Sequence, residues 1–498
     1  MSRQPAPGLM VCGTTSDAGK TLLVTGLCRL LARRGVRVAP FKAQNMALNS
    51  YVTVTGHEIG RAQAAQAMAA GLEPEVAMNP ILLKPTGTDT SQLIVMGEVV
   101  AEVRYTDYRA RTRELRQVVT DALGDLRGRY DVVVCEGAGG AAEINLLDTD
   151  VVNLPLAARA GLPVVIVGDI ERGGVFASLY GTLALLPPDL RSLVKGFVIN
   201  KFRGDPTLLG PGLDNLRRRC GVPTLGIIPW LDGVHIDAED SLALDAPRRP
   251  PIERAGRDRL DVAVVRFPHI SNFTDVDPLM VEPAVDVRFV TTAAIGDPDL
   301  LILPGTKATA ADLAWLREVG LDRAVLRAAR RDGPVILGIC GGYQMLGVDI
   351  VDRVESGRGR VPGLGLLGVA TTFEPTKVVR RRQGTALGAP VSGYEIHHGR
   401  TRRLDGQAGW LELGHPAEVE GGRSATGRVL GTSLHGIFEA DGFRSALLAE
   451  VARLRGAVRR PAPASSFAAA RRAQHDRLAD AIEAHVDLDA LDAVIGGI

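Results

Sequence analysis

The sequence predicts an α/β protein with two doubly wound parallel-sheet domains, and two patterns support this prediction. Short apolar, β-branched runs, typical of buried parallel strands, alternate with longer helical patterns in both halves of the 498 residues. A proline-rich, charged stretch at 246–258 has the composition of a linker. We therefore predict a first domain over residues 1–245, a second over 259–450, and a helical C-terminal tail over 451–498, with its helix over about 467–485.

The composition excludes several classes of function. The formal net charge is +1, so there is no electrostatic case for binding nucleic acid or an anionic membrane surface. The five cysteines include no CxxC pair, which argues against a disulfide framework or a cysteine zinc site. We see no apolar run of the ~20 residues needed to cross a bilayer. We expect a cytoplasmic protein that acts on small molecules, and the sequence leaves open a homo-oligomer.

The first domain begins with a strand that leads into Gly-Thr-Thr-Ser-Asp-Ala-Gly-Lys-Thr at 13–21, followed by a helix over about 22–34. In such a loop the backbone N–H groups cradle phosphate oxygens, the lysine reaches the outer phosphates, and the threonine hydroxyl can bind Mg2+. Five residues separate the two glycines, one more than in the standard pattern, and this spacing resembles the loop of dethiobiotin synthetase and its relatives. The motif predicts an ATP site that includes Gly13, Thr14, Asp17, Gly19, Lys20 and Thr21.

Polar residues at the ends of later strands add candidates to this site. Glu136 ends a β-branched strand, and an acid at this point commonly holds Mg2+ opposite the phosphate loop, so Glu136 joins Thr21 as a metal candidate. Asp169 ends the next buried strand and either contacts Mg2+ or substrate, or is a simple helix cap. Asn200 is placed where ATPases resembling this one contact the base.

Amides and cations gather in three segments between the phosphate loop and Glu136. Taken singly, each of these residues is more often structural than functional. Because the carboxyl ends of parallel strands share one edge of a sheet, we expect the segments to meet there and to suit a large anionic substrate. The predicted substrate-binding residues are Lys42, Gln44, Asn45, Arg61 and Lys84.

A single cysteine organises the second domain. Cys340 follows a short apolar strand, is flanked by glycines, and precedes an apolar helical pattern. A helix N-terminus favours the reactive thiolate, and the glycines permit the strained backbone that a nucleophile on such a turn needs. The alternative, in which Cys340 has no catalytic role, is a buried cysteine in a glycine-rich turn. The pattern resembles the nucleophile elbow of class I glutamine amidotransferases.

That resemblance implies roles for residues elsewhere in the second domain. His435, at a later strand end, would be the base and acid that a thiol nucleophile requires. Gly305, in a Pro-Gly turn, and Gly341 would supply backbone N–H groups to an oxyanion hole. Class I triads usually carry a glutamate two residues after the histidine, but here Ile437 stands at that position. The third member of the triad is therefore unassigned, and a Cys-His dyad is the simplest expectation.

Nearly the whole chain resembles the glutamine-dependent amide synthetases of cobalamin biosynthesis. The resemblance implies a P-loop NTPase-like fold followed by a flavodoxin-like one, in a ligase that uses ATP, Mg2+ and glutamine. It implies amidation of four side-chain carboxylates of (adenosyl)cobyrinic acid a,c-diamide. The segments at 44–46, 56–66 and 79–85 favour this activity over that of the sibling enzyme, which forms the a,c-diamide itself.

A partitioning or regulatory P-loop ATPase with a non-catalytic second domain is the alternative from another class. Two features of the sequence argue against it. The phosphate loop lacks the extra early lysine of those ATPases, and both Cys340 and His435 are present.

Overall fold

The computed structural model describes residues 5–87, 89–234, 259–330, 332–456 and 465–497. The chain divides into two compact units. The first unit comprises Met1–Ala47, Ile59–Asp237 and Arg471–Ile498, and the second comprises Leu48–Glu58 and Ala238–Ala470. The predicted linker at 246–258 lies outside the described residues.

Strands and helices alternate in the described residues up to 234. The strands are β1 (Gly8–Gly13), β2 (Val38–Phe41), β3 (Gln44–Met46), β4 (Ser50–Val52), β5 (Glu58–Gly60), β6 (Ile81–Pro85), β7 (Thr90–Val95), β8 (Glu98–Arg104), β9 (Val132–Glu136), β10 (Val164–Asp169), β11 (Val194–Phe202) and β12 (Thr224–Pro229). The helices are α1 (Lys20–Arg33), α2 (Arg61–Ala69), α3 (Tyr105–Ala110), α4 (Thr112–Arg129), α5 (Leu154–Ala160), α6 (Val175–Leu185), α7 (Pro188–Arg191) and α8 (Gly210–Cys220).

The described residues from 259 onward continue the alternation and end in helices. The strands are β13 (Leu260–Val265), β14 (Val285–Val290), β15 (Leu300–Leu303), β16 (Val335–Ile339), β17 (Asp349–Asp352), β18 (Gly359–Pro362), β19 (Val369–Ala386), β20 (Ala389–Arg403), β21 (Leu411–Leu413), β22 (Glu418–Glu420), β23 (Gly422–Arg423) and β24 (Val429–Thr432). The helices are α9 (Asp277–Met280), α10 (Thr309–Glu318), α11 (Leu321–Ala328), α12 (Gly341–Leu346), α13 (Asp441–Arg455), α14 (Phe467–His485) and α15 (Leu488–Ile495).

The first unit is built on a parallel sheet with the strand order β12-β11-β10-β1-β9-β2. Its central strands are apolar and buried along their whole length, as expected where helices cover both faces. Because β9 and β10 flank β1, the phosphate loop, Glu136 and Asp169 emerge at the same edge of the sheet. A smaller sheet, β3-β6-β7-β8, carries Gln44, Asn45 and Lys84.

The second unit has a sheet with the order β14-β13-β15-β16-β24-β23, parallel except for β23. Cys340 follows β16, and the neighbouring strands β15 and β24 lead to Gly305 and His435. A mostly antiparallel sheet, β18-β17-β19-β21-β22 with β20 on β19, completes this unit. The prediction of two doubly wound α/β domains is confirmed.

Residues 48–58, which we predicted to lie in the first domain, belong to the second unit. The backbone oxygen of Ser50 accepts hydrogen bonds from Asn272 Nδ2 (2.7 Å) and from the Tyr394 hydroxyl (3.1 Å). Val52 packs with Tyr394 in a small apolar cluster. These contacts join residues distant in sequence, so a boundary drawn from composition could not place them.

The predicted boundary at residue 450 falls inside α13, and the tail beyond Arg471 belongs to the first unit. Helix α14 has the predicted bounds and packs on α1, where Arg29 Nε lies 2.8 Å from Asp476 Oδ1. Gly26 permits the close approach, because an added Cβ would lie 2.4 Å from Ile482 Cδ1. The tail is therefore an integral part of the first unit. Among the described residues we find no helix with the length and apolarity needed to traverse a bilayer.

Candidate functional site

Cys340 sits on a sharp turn between β16 and α12. Its backbone has φ 50° and ψ −107°, a strained conformation for a residue with a side chain. The turn is held by hydrogen bonds from Cys340 N to Thr432 O (2.8 Å) and from Gly342 N to Pro304 O (3.1 Å). The backbone strain is that of a nucleophile elbow, which aims the sulfur away from the strand that precedes it.

His435 lies against Cys340 and is oriented by Asp275, a residue from the loop after β13. His435 Nδ1 is 2.6 Å from Asp275 Oδ2, and Gly436 N donates to Asp275 Oδ1 at 2.8 Å. The ring of Tyr394 stacks on the imidazole, with centroids 5.6 Å apart. Burial alone would lower the pKa of His435, but Asp275 and the side chain of Cys340 raise that pKa to about 10. The histidine is therefore an imidazolium at neutral pH.

The predicted oxyanion glycines lie next to this pair. A Cβ added to Gly305 would lie 2.7 Å from His435 Cε1, and one added to Gly341 would lie 2.6 Å from Thr306 Cγ2. Both positions therefore need glycine to keep the backbone this close. The turn after β15 therefore lies against both His435 and the start of α12.

The phosphate loop wraps around Lys20. Lys20 Nζ donates to the backbone oxygens of Thr15 (2.9 Å), Ser16 (3.0 Å) and Gly139 (2.9 Å). Gly19 has φ 99°, which permits the loop to enter α1. Lys20 and the first turn of α1 thus face the space that the loop encloses.

Glu136 is the centre of a buried polar network beside this loop. Its Oε1 accepts hydrogen bonds from Thr21 Oγ1 (2.8 Å) and Lys42 Nζ (3.0 Å), and its Oε2 accepts one from Gln66 Nε2 (2.5 Å). Burial would raise the pKa of Glu136, but Lys42, Gln66 and Thr21 lower it below its ordinary value. The carboxylate is therefore ionised and paired.

A cavity of about 140 Å³ opens beside the same loop. Gly19 and Asn200 line one part of it, and Trp230 lines another. Leu478 and Ala481 of α14, in the C-terminal tail, form a further wall. Asn200 Nδ2 donates to Ala18 O at 3.0 Å, which fixes its amide at the edge of the loop.

Not all the predicted substrate-binding residues converge. Lys42 contacts Glu136 directly. Asn79 links Lys42 to Gly60, which lies beside Asn45: Asn79 Nδ2 donates to Lys42 O (2.9 Å), and Asn79 Oδ1 accepts from Gly60 N (3.1 Å). The amide of Gln44 is instead bonded to the Tyr108 hydroxyl. Four of the five predicted residues are buried: Lys42, Asn45, Arg61 and Lys84.

Two protein-family models match the chain. The CobQ/CobB/MinD/ParA nucleotide binding domain matches residues 9–243, and the CobB/CobQ-like glutamine amidotransferase domain matches residues 261–443. Cobyric acid synthase of Rhodococcus jostii (strain RHA1) is 55% identical over 98% of this chain and 95% of its own length. The namesake of Nocardia farcinica (strain IFM 10152) is 54% identical over 98% and 96%, and that of Streptomyces coelicolor is 52% identical over 97% and 95%. The chain belongs to the cobyric acid synthase family.

In this member of the cobyric acid synthase family, Asp275 makes the contact with His435 that is expected of a glutamate two residues after the histidine, where this chain has Ile437. The sequence could have suggested it, because Asp275 follows a strand that ends at the same sheet edge as Cys340 and His435. Spacing alone could not identify it, since 160 residues separate it from His435.

Two of the three residues that we predicted to bind metal lie together beside the phosphate loop. Thr21 and Glu136 place two hard oxygen donors 2.8 Å apart at the phosphate loop. Asp169 is engaged elsewhere: its carboxylate pairs with Lys201 Nζ at 2.7 Å and accepts from Glu171 N at 2.8 Å. The other alternative that we gave for Asp169, a helix cap, does not describe its position either, because Gly174 is the N-cap residue of the helix that follows, α6.

Proposed function

We propose that this chain catalyses the ATP- and glutamine-dependent amidation of four side-chain carboxylates of (adenosyl)cobyrinic acid a,c-diamide, a step of cobalamin biosynthesis. The observation that carries this proposal is the identity of 52–55% to cobyric acid synthases over 97–98% of the chain. The two candidate sites provide the chemistry that such a reaction needs. One releases ammonia, and the other activates a carboxylate.

The second unit supplies ammonia from glutamine. The Cys340 thiolate attacks the side-chain carbonyl carbon, and N–H groups near Gly305 and Gly341 stabilise the oxyanion that forms. His435 donates a proton to the departing nitrogen, the C–N bond breaks, and a glutamyl thioester remains. Water then hydrolyses the thioester to glutamate. Asp275 positions the imidazole through Nδ1, which leaves Nε2 for proton transfer.

The first unit activates the corrinoid carboxylate. A carboxylate oxygen attacks the γ-phosphorus of ATP, ADP leaves, and an acyl phosphate forms. Lys20 and the loop N–H groups stabilise the negative charge on the transferring phosphoryl group. Mg2+ would be held by Thr21 and Glu136, and when bound it neutralises phosphate charge. Asn200 and the cavity beside it are placed to hold the base.

Mass spectrometry tests this function. The protein is incubated with the corrinoid a,c-diamide, ATP, Mg2+ and glutamine, and the amides formed are counted. We expect four new amides. Cys340→Ser should form none with glutamine but four with added ammonia, because only the glutaminase is lost.

Two other results would point elsewhere. Amidation of the precursor of the a,c-diamide, but not of the diamide, would indicate the sibling enzyme. No reaction with either corrinoid would revive the regulatory ATPase with a non-catalytic second domain.

We place this activity in the cytoplasm. All five cysteines are free, including the candidate nucleophile Cys340, and a reducing compartment keeps them so. The substrates are small molecules: a corrinoid, glutamine and ATP.

A further inference from the structure

Three buried side-chain amides beside Glu136 have unused hydrogen-bonding atoms. Asn45, Gln63 and Gln66 are 1%, 0% and 0% exposed. Asn45 Oδ1, Gln63 Nε2 and Gln66 Oε1 have no hydrogen-bond partner. A polar atom that is buried without a hydrogen-bond partner is costly, so three together call for a ligand.

The three amides form one cluster. Asn45 Nδ2 donates to Gln63 Oε1 at 2.8 Å, and Gln63 and Gln66 lie three residues apart on one face of α2. A Cβ added to Gly60 would lie 2.7 Å from both Asn45 Nδ2 and Gln63 Oε1, so glycine is needed where the helix begins.

The hydrogen-bonding character of the cluster does not depend on how the amides are oriented. Gln66 must donate its Nε2 to the Glu136 carboxylate, so its oxygen is the unused atom. If the amides of Asn45 and Gln63 were both reversed, Gln63 would donate to Asn45, and one donor and one acceptor would still be left over. In either case the cluster offers two acceptors and one donor.

This set is the complement of a primary amide, which has two N–H donors and one carbonyl oxygen. The cluster also lies where an amide would form. Gln66 contacts Glu136, and Glu136 contacts Thr21 of the phosphate loop.

We propose that Asn45, Gln63 and Gln66 form the site where ammonia meets the acyl phosphate and the new amide is made. This assignment rests on the proposed function and adds a binding role for Gln63 and Gln66. The two acceptors orient ammonia through its N–H groups, and the donor binds the carbonyl oxygen. The three side chains are almost completely buried, so the cluster is shielded from bulk water.

Amide formation at this site replaces the bond from carbon to the phosphate oxygen with a bond from carbon to nitrogen. The nitrogen lone pair attacks the carbonyl carbon, and the donor amide stabilises the oxyanion. The C–O bond to the phosphoryl group then breaks, and its electron pair leaves on phosphate. The nitrogen loses one proton, which the departing phosphate takes up. A site that excludes water protects the acyl phosphate from hydrolysis until ammonia arrives.

The test measures how tightly phosphate release is coupled to amide formation. Wild type and Gln63→Met receive corrinoid a,c-diamide, ATP, Mg2+ and ammonium chloride, so that the glutaminase is not needed. Phosphate is assayed and amides are counted by mass spectrometry. For Gln63→Met we expect a KM for ammonia about tenfold higher, as for the loss of a well-made hydrogen bond, and a ratio of phosphate to amide several-fold above that of wild type.

Gln117→Met is the matched control. Gln117 lies on the exposed face of α4, where its Nε2 bonds Asp121, and its substitution should leave the ratio unchanged. Thermal unfolding and ATP affinity report whether each variant folds. Asn45→Ser is assayed in the same way, in case Gln63→Met is unstable.

The outcomes separate this assignment from the proposed function. If wild type forms no amide from ammonia, the proposed function is wrong. If wild type is coupled and both variants keep its ratio and KM, the cluster holds only an internal water or nothing, and the assignment is overturned. If neither variant binds ATP, the amides serve the fold and the assignment is equally overturned.

Discussion

Asp275 Oδ2 lies 2.6 Å from His435 Nδ1, and both side chains are almost completely buried. The other oxygen of the same carboxylate accepts from the backbone of Gly436, so the residue after the histidine is held as well. An aspartate from the loop after β13 thus makes the contact that a glutamate after the histidine makes in class I triads. The site is a Cys-His-Asp triad in its geometry.

The first prediction concerns Asp275→Asn. The amide keeps the volume but removes the charge that stabilises the imidazolium, so we expect glutaminase kcat to fall by roughly 10²–10⁴-fold. Amidation supported by ammonium chloride should persist, because it bypasses the triad. Asp405→Asn, at an exposed position, is the control. Full glutaminase activity in Asp275→Asn would mean that Cys340 and His435 act as a dyad.

The second prediction concerns pH and stability. The pKa of His435 rises from 6.5 to about 10 on folding. A raised pKa in the folded state stabilises the protein fully below the unfolded value, and that stabilisation is lost as pH rises through the folded value. The advantage of wild type over His435→Gln in thermal unfolding should therefore be largest below pH 6.5 and vanish above about pH 10.

The matched control for this titration is His485→Gln, because His485 is exposed on α14. A wild-type advantage at position 435 that is constant from pH 6 to 11 would contradict an imidazolium at that site.

The sequence predicted those parts of the sites that depend on local pattern. The phosphate loop and the elbow at Cys340 each need a strand, a tight turn and a helix in succession, so composition and spacing reveal them. Helix α14 was predicted with its exact bounds because its pattern is continuous.

The residues that the sequence did not reveal are those that act across the fold. Asp275 and the α14 side chains reach their sites only through packing with distant segments. Lys42 shows the opposite case, in which a residue predicted to bind a ligand contacts the protein itself. A lysine at a strand end suits an anionic substrate, but here its nearest anion is Glu136 of the protein itself.

The third prediction concerns the cavity that α14 helps to form. Ala481→Trp should fill much of the 140 Å³ beside Asn200 and weaken ATP binding by at least about tenfold, the equivalent of 1.4 kcal/mol. Binding of inorganic tripolyphosphate should be unchanged, because the phosphate loop is untouched. Isothermal titration calorimetry with both ligands measures the difference.

Ala484→Trp, at an exposed position of the same helix, is the control for the bulk of the new side chain. Equal losses of ATP and tripolyphosphate affinity in Ala481→Trp would show that the change distorts the loop. Unchanged ATP affinity would show that the base binds elsewhere.

The fourth prediction concerns the ion pair between Lys42 and Glu136, whose side chains are 3% and 0% exposed. Glu136→Gln leaves the ammonium of Lys42 buried without its counter-charge, so we expect the first unit to lose about 3–5 kcal/mol of stability. It should also abolish ammonia-dependent amidation, since Glu136 is a proposed ligand of Mg2+. Denaturant unfolding and amide counting measure the two effects.

The double variant Lys42→Met/Glu136→Gln separates stability from activity. With both charges gone, the desolvation cost of the unpaired ammonium disappears, so most of the lost stability should return while amidation stays absent. If the double variant is no more stable than Glu136→Gln alone, the pair does not govern stability. If it regains activity, Glu136 serves only to neutralise Lys42, and the oxygen donors for Mg2+ must be sought elsewhere along the edge of the sheet.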